Sequence, residues 1–311
     1  LSRDIRKKGG KRHKLNCESK SFKALDILLL VLCALPIAFM IVLKVLFTPA
    51  GGGIDIHGAL IYAQIDMPLQ PLCITESLVN SWCVIVSVLF LCLYLTHGTS
   101  EHPGTKRQLV AEWIVEKTQS LVNSNMQPYF KNYAPFIGAI MVLSAFSSLL
   151  TLFGLYPPTS DISIVGGWAL LVACMITHFK MKCGPLHYLK DLATPAVMTP
   201  MNIIGEFSTP ISMAFRHYGN VLSGSVISVL IAAALGGLSD LMFSWAPEWL
   251  SGFQILRVGL PAVLSLYFDI FSGCLQAFIF AMLTMLYVSG VFASDDYFAR
   301  KAKRAAKKAN I

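Results

Sequence analysis

Glu206, Arg216 and Asp269 stand in stretches that are otherwise almost wholly apolar. A charge at the centre of a bilayer costs at least ~2.5–3.5 kcal/mol, so an ionisable side chain there is by default a functional one. Arginine does not give up its proton in a protein, which makes Arg216 a fixed cation, whereas the two carboxyls can take up and release protons. At about 100° per residue, Thr209, Ser212, Arg216, Asn220 and Ser223 fall within about 40° of one line along a helix. Asp269, Ser272, Gly273 and Gln276 form a second narrow polar stripe by the same count. With those two helices antiparallel and Gln276 level with Arg216, Asp269 lies on one side of the arginine and Glu206 on the other. An acid on each side of a cation that cannot be neutralised suits a two-step ion route. The plainer alternatives are polar stripes that hydrogen-bond neighbouring helices and an arginine paired with a carboxylate of its own chain.

The elements that must position these residues are membrane helices. The chain is 55% hydrophobic and 14% charged, against about a quarter charged in ordinary soluble domains. Apolar segments fall at 24–47, 75–96, 133–155, 162–180, 202–236 and 259–292, each long enough to cross a hydrocarbon layer of ~30 Å. The fifth and sixth are too long for a perpendicular span and must tilt, break or run partly along the membrane, with Pro210 one place to bend. Segment 106–124 differs: Val110, Trp113, Ile114 and Leu121 share one side, and Gln108, Glu112, Glu116 and Gln119 occupy others. It reads as a helix lying in the interface. The fold class is therefore an all-α membrane protein of about six spans plus one interfacial amphipathic helix, with the last two spans long and strongly tilted.

Charge placement orients the chain. With six spans and both ends in the cytoplasm, 22 basic residues lie inside and only Arg257 outside; Lys44 and Arg216 complete the 25. This is the positive-inside pattern, and it accounts for the net charge of +8 without nucleic acid as a partner. The eight cysteines form no CxxC pair and mostly fall in apolar segments, so neither a disulfide framework nor a metal site is expected, and no cofactor.

The stretch Gly205-Glu-Phe-Ser-Thr-Pro-Ile-Ser-Met-Ala-Phe-Arg216-His-Tyr-Gly-Asn220-Val-Leu-Ser-Gly224 resembles the signature of subunit a of F-type ATP synthases. That family has a proline six residues before an essential arginine, followed by an aromatic-Gly-Asn step. Cys274-Leu-Gln276-Ala-Phe-Ile-Phe-Ala-Met-Leu-Thr-Met-Leu-Tyr287 is similar to its final-helix signature. Pro103-Gly104, Glu112 and Glu116, and Tyr133-Pro135-Phe136 fit its second helix and the entry to its third. The resemblance covers about 62–292 and implies a subunit of the cell inner membrane beside a ring of small hairpin subunits (the c-ring), with peripheral-stalk subunit b and the rest of the complex as further partners. It implies two half-channels that couple the flow of protons, or of sodium ions, to ATP synthesis, with no catalysis by the chain itself. Arg216 would match the essential arginine, Asn220 and Gln276 its polar flanks, and Asp269 the titratable group of the outer half-channel, while Glu206 sits toward the cytoplasm. The chain departs from the pattern at Ser225, where relatives often carry Glu or His, at Asn202, where many carry Glu, and at His217, usually Leu.

The expected organisation is a basic tail 1–23, an extra span and outer loop 24–61, a channel domain 62–292 and a basic tail 293–311. A stand-alone secondary transporter or channel, the alternative, calls for paired broken helices and internal repeats that are not evident here. An intramembrane enzyme would need a nucleophile with a base, or metal ligands such as HExxH, and neither is found.

Overall fold

A computed structural model describes residues 2–47, 58–66, 68, 71–99, 106–185, 188, 192–193, 198–242, 263–264, 266–292 and 297, and the side chains of 2–23, Asp240 and Asp269 stand outside that description. Pro103-Gly104, Arg257 with most of loop 237–258, and the tail 298–311 also lie outside it. Six helices are long and apolar enough to cross a membrane: Ala24–Phe47, Glu76–Thr96, Pro128–Phe153, Ile162–Cys183, Thr199–Ser239 and Leu266–Gly290. These are the six segments expected from hydropathy, with boundaries moved by a few residues. The protein is an all-α, multi-pass membrane protein. The seventh helix, α3 (Lys106–Asn125), leaves Val110, Trp113 and Ile114 exposed while Gln108 and Val122 are buried.

The chain divides into two compact units, one of residues 1–48 and 82–117, the other of 49–81 and 118–311. In the first, α1 (Ser2–Phe47) is tied to α2 (Glu76–Thr96) and to the start of α3 at two levels. Ser87 Oγ donates to the Cys33 carbonyl at 2.8 Å. Nearer the N-terminus, Asp26 accepts from Arg107 Nη1 at 2.6 Å and lies 3.2 Å from His97 Nδ1. Arg107 also donates to the His97 carbonyl and stands 5.0 Å from the centre of the Tyr94 ring. The planar guanidinium can serve a carboxylate, a carbonyl and a ring at once, which an ammonium cannot. Most of the large apolar side chains of α1 remain exposed, Val31, Leu35, Val42 and Val45 among them, a surface suited to lipid.

In the second unit a hairpin precedes α2. Strands β1 (Ile61–Ile65) and β2 (Leu72–Thr75) pair antiparallel, and Glu76 N–H donates to the Leu60 carbonyl at 2.7 Å. The sequence reading has only an outer loop here, because alternation over four or five residues is too short to stand out. The bundle itself consists of α4 (Ala134–Leu149), α5 (Ile162–Cys183), α6 (Thr199–Met242) and α7 (Gly273–Gly290), the last continuous with a π-helical turn over Leu266–Ser272. Asp161 starts α5 by accepting from Ser163 N–H at 2.9 Å. Pro200 sits in the first turn of α6, where its missing N–H costs nothing, and the 44-residue helix, about 66 Å long at 1.5 Å per residue, continues through Pro210.

Between membrane helices the hydrophobic effect no longer drives association, so close packing and interhelical hydrogen bonds must do it. Both are present. Gly273 of α7 lies so close to α4 that an added Cβ would come within 2.5 Å of Ser148 Cβ. Ser147 and Ser148, buried on α4, turn their hydroxyls back onto the carbonyls of Leu143 and Ser144. The core runs through Ile137, Val165, Val172, Phe179, Met213, Phe280 and Met285. At one end of it, Phe130, Phe179 and Phe292 meet edge to face with ring centres 4.9–5.9 Å apart. There Gln127 Nε2 donates to the carbonyls of Ser289 and Phe292, which fastens the end of α7 to the turn before α4.

Candidate functional site

Arg216 is exposed on α6, whose other sides also expose Phe207, Ile211 and Phe215. The ion pairs among the described residues are those of Asp26 with Arg107 and His97, and of Glu206 with Lys180. Of the two own-chain carboxylates that could pair with Arg216, Glu206 has another partner, and the side chain of Asp269 lies outside the described residues.

The next residue turns the other way. His217 is wholly buried, with Nε2 3.2 Å from Ser144 Oγ and the rings of Trp168 and Phe280 edge-on at 6.2 and 5.6 Å between centres. Its Nδ1 has no hydrogen-bond partner. With Met213 and Ala214 buried beside it, His217 sets the rotation of α6 so that its neighbour Arg216 points outward. In sequence His217 registers only as an unusual residue beside the arginine; that it faces inward is set by its partners on α4, α5 and α7.

Two contacts fix the register of the last two helices. Asn220 and Ser272 exchange hydrogen bonds, Nδ2 to Oγ at 2.9 Å and Oγ to Oδ1 at 3.1 Å. One turn further on, a Cβ on Gly224 would lie 3.4 Å from Phe268. One turn in the other direction brings Arg216 level with Gln276, which is buried on α7. Asn220 is thus committed to bridging the two helices. Ser225 is exposed and its hydroxyl donates to the Leu222 carbonyl at 2.8 Å. Asp269 lies within the π-helical turn, and its side chain is outside the described residues. That turn corrects the helical count: spacing at 100° per residue holds from Gly273 onward but not across Leu266–Ser272, where each turn holds an extra residue.

Glu206 faces a cleft of about 1550 Å³ between α5, α6 and the end of α7, lined also by Thr177, His178, Asn202, Thr209 and Tyr287. Its carboxylate, about one-fifth exposed, accepts from the ammonium of Lys180, which is exposed to the same degree. Tyr188 places its ring 5.6 Å from Lys180 Nζ. Burial, and then the charge of Glu206, push the Tyr188 phenol above its ordinary value. Asn202 is used structurally, donating to the Leu192 carbonyl at 3.2 Å. Lys180 counts in the sequence only toward the positive-inside total; its position in the last turn of α5 is the one signal that marks it.

At the other end lies a polar cluster that the sequence reading does not single out. Ser77 Oγ donates to Asp161 at 2.6 Å, Tyr156 N–H donates to the buried Glu76 carboxylate at 3.3 Å, and Asn80 donates to the Tyr156 carbonyl at 2.8 Å. The Tyr156 phenol is pushed up by burial first, then by Tyr218, Asp161 and Glu76. These bonds join the start of α2 to the turn that caps α5.

Across this whole region, residues 78–289, the sequence matches the profile of a protein family described as ATP synthase A chain. The chain belongs to that family. It is similar to ATP synthase subunit a of Bacillus subtilis, 31% identical over 241 residues that make up 71% of this chain and 95% of the relative. It is similar also to ATP synthase subunit a 1 of Crocosphaera subtropica, 29% identical over 220 residues, 70% of this chain and 86% of that one. A third relative, from Propionigenium modestum, is described as ATP synthase subunit a, sodium ion specific, and is 27% identical over 242 residues, 72% and 76% of the two chains. As a member of the ATP synthase A chain family, the protein is an ion-translocating membrane subunit of an F-type synthase complex in the bacterial inner membrane. The matched span takes in the cleft at Glu206, the Asn220–Ser272 bridge and both faces of α6, and leaves α1 outside.

Proposed function

We propose that the chain supplies two ion half-channels that meet at Arg216, beside a c-ring of small hairpin subunits each carrying one mid-membrane carboxylate. An ion enters from outside past Asp269, with Ser225 near it, and neutralises a ring carboxylate. The ring carries it round, and it leaves past Glu206 through the inner cleft. Arg216 attracts each carboxylate as it returns ionised and bars leakage between the two routes, with Asn220 and Gln276 as its polar flanks. The channel domain is 62–292, both termini are cytoplasmic, subunit b is a further partner, and the chain catalyses nothing by itself.

The observation that supports this reading is that Arg216 is exposed on α6 and makes no ion pair with a carboxylate among the described residues, Glu206 being held by Lys180. An unpaired charge in an apolar environment is costly, and a carboxylate on a passing ring would supply the missing partner. A cation that must capture and release a carboxylate repeatedly has to stay charged, which favours arginine over lysine. Arg216→Ala is expected to abolish ATP-driven ion pumping and ion-driven ATP synthesis in inverted vesicles, and Arg216→Lys to fail at coupling as well. Normal coupled synthesis by either variant refutes the role.

A further inference from the structure

The inner cleft is roomy, but its charged centre is occupied. The carboxylate of Glu206 is held by Lys180, while Asn202, Thr209 and Thr177 line the same space. A carboxylate in a cleft lined by amide and hydroxyl groups offers oxygen donors of the kind that hard cations such as Ca²⁺ take. The other titratable groups that line the cleft are Cys174, His178 and Cys183 on α5, Tyr188 beyond it and Tyr287 on α7; Lys180 is the only side chain in this lining whose ordinary form at neutral pH is a cation. We propose that Lys180 is a specificity-determining residue of the inner ion route: its ammonium occupies the position at Glu206 that a metal cation would otherwise take, and so keeps the cleft from trapping metal ions. The proposal rests on Glu206 lining that route.

The geometry suits a tethered counter-ion. Lys180 reaches across from α5 to α6, offers three N–H donors and no acceptor, and has the Tyr188 ring 5.6 Å from its Nζ to favour a cation there. Being part of the chain, it is present at an effective concentration that a free ion must outcompete. A neutral residue in its place leaves the carboxylate, with its oxygen neighbours, open to any divalent cation on the cytoplasmic side.

The test uses the purified complex and inverted vesicles, with Tb³⁺ as a luminescent stand-in for Ca²⁺. Tyr188 and Tyr287 line the cleft and can sensitise a lanthanide bound at Glu206. The Lys180→Gln complex is expected to show tyrosine-sensitised Tb³⁺ emission above the wild-type background, displaced by Ca²⁺ and absent from the Lys180→Gln/Glu206→Gln double variant. Lys180→Arg should match wild type. In vesicles, ATP-driven pumping by Lys180→Gln should be half-inhibited at a Ca²⁺ concentration at least tenfold lower than for wild type assayed in parallel. Wild-type emission and wild-type Ca²⁺ sensitivity in Lys180→Gln overturn the proposal and leave Lys180 a structural tie. Emission that persists in the double variant overturns it too. A wild-type complex that pumps no ions would count against the half-channel reading, while the emission comparison still judges the metal-excluding role of Lys180.

Discussion

Arg216 and His217 are neighbours in sequence and face opposite ways, and the difference lies in what each side chain can find around it. His217 can be buried because it can be neutral and because Ser144 offers a hydroxyl to its Nε2. Arg216 cannot be neutral, and the one carboxylate on its own helix within ten residues, Glu206, is taken by Lys180. Ser225 and Asp269 pose a sharper question. A hydroxyl relays a hydrogen bond but stores no charge near neutral pH, so Asp269 is expected to be the only titratable member of that pair. Asp269→Asn should cut ion flux severely while the complex still assembles, and Asp269→Glu should keep much of it. Ser225→Glu in the Asp269→Asn background should restore part of the flux by returning a carboxyl to the same level from the other helix. ATP-driven acidification across the working pH range checks all three; wild-type flux in Asp269→Asn would leave the aspartate a helix clasp. The residue types at these positions are plain in the sequence, but their partners are not: periodicity puts Arg216 and Asn220 on one stripe, and only the packed helices show Asn220 held by Ser272 and Arg216 exposed.

At the scale of elements, α7 shows how a small residue sets a helix's place. In sequence Gly273 belongs to a polar stripe. In the structure it is a point of close approach between α7 and α4, and the turn before it is π-helical. Without a hydrophobic drive between helices, such an approach depends on atoms that are not there. Gly273→Ala should therefore push α7 off α4, with a loss of about 1–3 kcal/mol of stability, read as a lower melting temperature of the purified complex. Ser148→Gly in the same chain should recover part of it by removing the side chain that the new methyl meets, less the cost of about 1 kcal/mol for glycine in a helix. A melting temperature unchanged by Gly273→Ala would show that the helices can separate at that point without penalty. The helix itself was legible from its run of apolar residues; the π-helical turn was not, because an extra residue per turn leaves the composition of the segment unchanged.

Over the whole molecule, the asymmetry of basic residues makes one strong demand, that both ends lie on the cytoplasmic side. On a cysteine-free background, single cysteines at Ser2 and Ala305 are expected to react with membrane-impermeant reagents in inverted vesicles and to be protected in intact spheroplasts. Labelling of either from the periplasmic side would overturn the six-crossing topology. Length, hydropathy and charge placement suffice for this level of description, because crossing a bilayer is a demand on composition: about twenty apolar residues are needed wherever they stand. So the sequence by itself determined the six spans, the membrane class and the family. The tertiary structure alone decided that Glu206 is paired with Lys180, that His217 turns inward while Arg216 turns out, and that Asn220 meets Ser272. It also decided that the buried Glu76 and Asp161 join the start of α2 to the cap of α5. Those are pairings between residues 26 to 84 positions apart, and they depend on helix rotation and register, which a one-dimensional pattern leaves open until the helices pack.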